Sequence, residues 1–192
     1  MTANHPGGPV AGPNDLQNYP ALTASSYPGT TFIAGTLDGT PGGGYLIDLY
    51  WDASPDPSGH GQGQRYLGSA SLTTDAVGNG EFTFDTVNFA GGVFTATATD
   101  VSTGDTSEFS ADVISATGSP RLVGPITKTG SGFSFNLLLQ TNVTYHIQTA
   151  TNLGAIPIAW VNLRNFLATS SPYQFIDPAT NIPIRFYRAI SP

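Results

Sequence analysis

The chain lacks cysteine altogether, has one methionine, and carries only six basic residues among 192. Without cysteine there is no disulfide framework, no thiol nucleophile and no zinc–thiolate site. Secretion stays open, because sandwiches of this size are stable on core packing alone. Thirteen acids against six bases leave a net charge of −7. Such a balance supplies no basic stripe for displacing counterions, so nucleic acid is not an expected partner. Adhesion to an anionic membrane is not expected, on the same ground. No apolar run reaches the roughly 18 residues that a bilayer span needs. The first twelve residues, MTANHPGGPVAG, lack the basic start and apolar run of a signal peptide. An exported parent protein would therefore contain this chain as a mature piece.

Charged residues make up 10% of the chain, against roughly 25% in ordinary soluble proteins. Hydrophobic residues reach 39% and aromatics 11%, which sets the chain apart from disordered sequences. The polar surface must come from Thr, Ser, Asn, Gln and Gly, the profile of an extracellular β-protein.

Residues 1–12 read as a flexible lead-in, with Pro and Gly clustered at HPGGP and AGPND. Strand patterns follow at Thr31–Leu37, Tyr45–Asp52, Arg65–Thr73, Glu81–Thr86, Val93–Thr99 and Ser107–Val113. In the second of these, Tyr45, Ile47, Leu49 and Trp51 share one face, with Asp48 and Asp52 on the other. Gly, Asn and Asp turns recur about every ten residues, the spacing of a sandwich. Alternation stops at Ile114–Pro120 and resumes through residues 133–139, 143–149, 160–166, 173–177 and 184–190. Pro157, Pro172, Pro178 and Pro183 mark strand ends and edges, where a missing donor is tolerated. No ten-residue stretch has a helical period, so helix content is expected to be close to nil.

His5, His60 and His146 show no HxH or HxxxH spacing and read as solvated or structural. Asp75, Asp100, Asp105 and Glu108 sit at turns. They read as acceptors for their own turn's N–H groups, with calcium as the alternative. No GxSxG elbow is present, and the Gly-rich GTPGGG has neither a lysine nor a following helix. Paired carboxylates carry no signal without geometry. The expectation is no catalytic residue, no metal ligand and no cofactor. Sugar binding on an aromatic face is the alternative function, with Tyr50, Tyr66, Tyr173 and Tyr187 as candidate rings. Trp51 and Trp160 occupy positions where sandwich cores take a large ring. The Ser54–Gln64 loop, rich in Pro and Gly, reads as a structural cover, with a recognition loop as the second option.

The segments GPNDLQNYPALT, GTLDGTPGGGYLIDLYWD, DPSGHGQGQRYLGS, LTTDAVGNGEFTF and TATATDVSTGDTSEFS occur in that order over residues 13–113. Together they resemble a bacterial immunoglobulin-like repeat of large secreted and cell-surface proteins. The family commonly has a Cys before the DPSG motif; here the segment reads DASPDPSG and a bridge is absent. Residues 120–192 carry YHIQTATNL, AWVNL, PYQFIDP and a terminal RFYRAISP. They resemble a C-terminal module of exported proteins from Verrucomicrobia- and Planctomycetes-like bacteria. These resemblances imply an all-β fold of two tandem immunoglobulin-like β-sandwich domains, 13–115 and 118–192. They also imply an extracellular or cell-surface location and a non-catalytic spacer or presentation role. The binding residues stay unknown. Expected partners are other domains of a parent surface protein, copies of the chain paired through strand edges, or a glycan in the adhesion alternative. Nucleic acid and membrane insertion are not expected.

Overall fold

The computed structural model describes every residue except Pro9, Ala90, Ala179, Thr180, Asn181, Pro183 and Pro192. The strand end assigned to Pro183 therefore lies outside the described residues. The fold is all-β and of the sandwich type. Its contacts divide the chain into two compact units, Met1–Ser26 with Thr30–Ala116 and Tyr27–Gly29 with Thr117–Pro192. Among the described residues the one helical element is a single 3-10 turn, Pro13–Leu16, and there Asn14 and Asp15 hold left-handed φ of 49° and 46°.

The first unit contains β1 (Ala21–Tyr27), β2 (Thr30–Asp38), β3 (Gly44–Asp52), β4 (Arg65–Thr73), β5 (Asn79–Val87) and β6 (Val93–Asp100). One sheet runs β5-β2-β1, with the two-residue β7 (Ala116–Thr117) at the edge; the other runs β4-β3-β6. Strand β3 forms because its apolar residues alternate, which turns Tyr45, Ile47 and Leu49 fully inward. Its register with β6 sets Ile47 opposite Ala98 and Leu49 opposite Ala96. Each large side chain thereby faces a small one, the pairing that lets a layer interdigitate. Ile33, Leu37, Leu72, Phe82 and Phe94 complete this core.

The stretch 107–113, expected as a strand, is not one. It meets β6 through two isolated bridges, Thr99 with Thr106 and Phe94 with Val113. Between them the hydroxyls of Ser107 and Ser110 replace main-chain carbonyls, accepting from the N–H groups of Ala98 and Ala96 at 2.9 and 3.0 Å. Within residues 1–12, expected as a flexible lead-in, Thr2, Asn4, His5 and Gly7 are hydrogen-bonded to the unit they precede. Buried Asn18 accepts from His5 N and donates to the carbonyls of His5 and Asp38.

The second unit contains β8 (Arg121–Thr129), β9 (Gly132–Leu138), β10 (Thr144–Ala150), β11 (Val161–Leu167), β12 (Tyr173–Asp177) and β13 (Phe186–Ile190). Its sheets run β12-β9-β8 and β11-β10-β13. Phe135, Leu137, Leu139, Tyr145, Ile147 and Phe175 form its core.

The strand order of the second unit is that of the first with every number raised by seven. The corner between second and third strands repeats as well. Tyr45 Oη accepts Thr40 N–H at 2.8 Å, and Tyr145 Oη accepts Gln140 N–H at 3.1 Å, each five residues back. Gly42 and Asn142 take the same left-handed step, with φ of 69° and 62°. Asparagine is one of the few residues that tolerate what glycine does there. Thr74 N–H then bonds Gly43 O and Ala168 N–H bonds Val143 O, both at 3.0 Å, closing the two corners alike.

Candidate functional site

The outer face of β4-β3-β6 gathers the chemistry of the first unit. Because Tyr45, Ile47 and Leu49 point inward, Asp48, Tyr50 and Asp52 point outward. A bulge between Leu49 and Tyr50 shifts the hairpin register and sets Tyr50 opposite Tyr66. The two rings lie 5.7 Å apart, and Phe109 meets Tyr50 edge-on at 5.3 Å. Tyr66 is 57% exposed, so of the four candidate tyrosines it is the one open to a ligand. Its hydroxyl lies 2.6 Å from Ser69 Oγ, which donates to Asp48 Oδ1. Burial raises the Tyr50 hydroxyl above the ordinary phenol range, and the Asp48 charge adds to it against a hydrogen bond with Thr97. Tyr50, Tyr66, Asp48 and Ser69 thus make a small platform of ring faces beside a carboxylate and a hydroxyl.

The Ser54–Gln64 loop folds back over one end of this face. Asp52, 1% exposed, holds it: Oδ1 accepts Gln64 N–H at 2.6 Å, and Oδ2 accepts those of Gln62 and Gly63 at 3.3 and 3.4 Å. Gly61 allows the close approach, since a Cβ there would lie 2.4 Å from Thr95 Cγ2. Further out, Gly59 O accepts from Asp112 N–H, and His60 bridges Ala111. Asp112 Oδ2 accepts Asp56 N–H at 3.1 Å, while Oδ1 is buried without a partner. Burial lifts the Asp112 carboxyl above the usual range, and the negative charges of Asp52 and Asp56 reinforce the shift. The loop is thus hydrogen-bonded at both ends to the unit it lies on.

The corresponding face of the second unit, on β11-β10-β13, carries amides and a cation instead. Arg188 stacks over Trp160 at 4.3 Å and donates to Gln148 Oε1 at 2.8 Å; nearby Asn162 donates to Asn165 Oδ1 at 2.6 Å. Trp160, expected in the core, is absent from it and is half-buried before β11. Phe166 packs against that core, stacked on Tyr173 at 4.2 Å. Trp51 does pack against its core, stacked on Phe89 at 5.0 Å.

The other tyrosines turn inward: Tyr173 and Tyr187 both pack on the core of the second unit. Tyr187 donates to buried Asp177 at 2.9 Å, and Arg185 pairs with the same carboxylate. Burial and that carboxylate push the Tyr187 hydroxyl up to about 12. This Asp177–Arg185–Tyr187 anchor was not recognised in the sequence, although Asp177 is the one acid after residue 112.

The acidic turns serve themselves. Asp75 Oδ1 accepts the N–H groups of Val77 and Asn79, both at 2.9 Å. Asp100 Oδ1 accepts from Ser102 N and Oγ. Burial opposes ionisation of Asp100, but these bonds and that from Thr103 outweigh it and lower its carboxyl. Glu108 instead accepts from Thr2 N–H at 2.6 Å. His5 contacts Leu16 O, His60 contacts Phe109 O, and His146 lies on β10. Among the described residues no three His, Asp or Glu side chains converge as a metal site would require. Nor, among them, is any helix long and apolar enough to cross a membrane. In comparisons with known proteins, no family model and no curated protein sequence matches this chain.

Proposed function

We propose that the chain is a non-catalytic structural module of an extracellular or cell-surface protein, one that spaces or presents neighbouring domains. The observation behind this reading is repetition. The same six-strand order and the same tyrosine-closed corner occur twice, about a hundred residues apart. Tandem repetition of one sandwich is an economical way to build length, because each unit carries its own core. The resemblance of residues 13–113 to bacterial immunoglobulin-like repeats points the same way. Asp75 and Asp100 are engaged in shaping their own turns, which fits a scaffold.

A second reading, glycan recognition, is favoured by the Tyr50–Tyr66 platform beside Asp48 and Ser69. The exposed ring of Tyr66, next to fixed hydrogen-bonding groups, suits the apolar side of a pyranose. A glycan array, followed by titration of tyrosine fluorescence, separates the two. Binding that is lost in Tyr66→Ala, with unchanged thermal unfolding, would replace the scaffold reading. An empty array together with a cooperative β-rich unfolding transition supports it.

A further inference from the structure

The two units differ at one place in their shared plan. In the first unit every N–H along β6 has a partner. Phe94, Ala96, Ala98 and Asp100 turn theirs away from β3, to Val113 O, Ser110 Oγ, Ser107 Oγ and Asp105 O. Val113 also caps the open side of the core there. In the second unit the equivalent strand is β13, and the register is the same: Ile147 opposes Ala189 as Ile47 opposes Ala98. The N–H groups of Tyr187 and Ala189 therefore point to the outer edge, as those of Ala96 and Ala98 do. No segment among the described residues pairs with that edge. Beside it lies a groove of about 250 Å³ lined by Leu122, Phe135, Leu137, Ile147, Tyr187 and Ala189.

Charge indicates what fits there. Residues 1–116 hold twelve of the thirteen acids and one base, and residues 117–192 hold one acid and five bases. The net charges are −11 and +4, which the overall −7 conceals. The acidic unit exposes a complementary edge strand, β5, which ends its sheet and bears Glu81 and Asp85 on alternate, exposed positions. The other long edge strand of that unit, β4, carries no acid and begins with Arg65.

We propose that the β13 edge of one copy receives β5 of a second copy, which adds as a further strand, closes over the groove and sets Glu81 and Asp85 against Arg188. The contact is heterologous, basic unit to acidic unit, so copies join head to tail, as a chain or a closed ring. Strand addition to an exposed edge supplies the main-chain hydrogen bonds, and the charges select the partner. This deepens the scaffold reading and rests on it.

Sedimentation velocity on the full chain, from 1 to 200 μM protein in low salt, tests the proposal, with Arg188→Glu and the double variant Glu81→Arg/Asp85→Arg alongside. The wild type is expected to form a concentration-dependent ladder, weakened at least tenfold in 0.5 M salt, where the Debye length shrinks to about 4 Å. Each variant alone is expected to be monomeric, with a native circular dichroism spectrum. Mixed in low salt, the two are expected to reassociate, because the intact β5 of one meets the intact β13 of the other and the two reversed edges again carry opposite charges; 0.5 M salt is expected to weaken this association as it does the wild type's. A wild-type monomer at 200 μM in low salt overturns the proposal. So does a ladder that survives either variant, or a mixture that stays monomeric in low salt. If it fails while the glycan array is also empty, the passive spacer reading stands without self-association. An array hit that depends on Tyr66 would remove the scaffold reading itself.

Discussion

Replacing Asp52 by alanine should release the Ser54–Gln64 loop from the sheet it covers. The carboxylate accepts one short bond from Gln64 N–H at 2.6 Å and two long ones from Gln62 and Gly63 at 3.3 and 3.4 Å. A hydrogen bond to a charged acceptor contributes roughly 1.5–3 kcal/mol, and long bonds contribute far less. The short bond alone is worth about 2 kcal/mol on that scale. Leaving neighbouring donors unpaired beneath the loop brings the expected loss to about 2–4 kcal/mol. Asp52→Asn keeps one acceptor but turns an NH2 group toward two N–H donors, and is expected to cost about 1–2 kcal/mol. Urea denaturation gives both values from the midpoint at unchanged m. Amide exchange at Gln62, Gly63 and Gln64 should rise in step, while β3 stays protected. Gly61→Ala probes the same clamp from the other side, because its Cβ would meet Thr95 and Asp52 Oδ2 at 2.4 and 2.6 Å. A loss below 1 kcal/mol for Asp52→Ala, with Gln64 exchange unchanged, would refute the clamp.

Tyr45→Phe and Tyr145→Phe each strand a corner N–H, and each should cost about 1–2 kcal/mol by denaturation; an effect at one corner only would break their equivalence. Tyr187 is protonated in the fold up to about pH 12, whereas its unfolded pKa is near 10. Its stabilising contribution is complete below pH 10 and lost as pH rises toward 12, so unfolding should become easier across that window, and Tyr187→Phe should flatten the slope. A pH–urea series beside absorbance titration reads both. The raised carboxyl of Asp112 has the same sign at lower pH: its protonated form favours the fold, and that contribution disappears as pH rises through the folded pKa. Asp112→Asn is therefore expected to be more stable than the wild type at pH 7, with the gap closing below about pH 4; a gap that widens in acid would contradict the assignment.

Strands with clean alternation were legible in the sequence. β3 and β12 fall within a residue of their expected spans, and β9 and β10 differ by one at each end. β1 was missed because ALTASSY offers small and hydroxyl residues in place of an apolar stripe. β8 was missed because Gly124 and Pro125 interrupt it, where its register with β9 breaks. The 107–113 stretch alternates like a strand, yet two serine hydroxyls take over the bonding that would define one. Facing was harder to read than spacing. Tyr50 lay opposite Trp51 by period, but its meeting with Tyr66 depends on a bulge that no local pattern announces. Tyr173 and Tyr187 could not be told from surface rings without the second sheet that covers them. The segregation of charge was present in the sequence throughout, and the net value hid it.

Amide hydrogen exchange along β6 and β13, at low protein concentration in 0.5 M salt, most directly tests the claim of one plan built twice with one position left open. Protection is expected at every amide of β6 from Phe94 to Asp100. On β13 it is expected to alternate, with Tyr187 and Ala189 exchanging fast and their neighbours slowly. Uniform protection across Phe186–Ile190, or fast exchange at Ala96 and Ala98, would contradict the account.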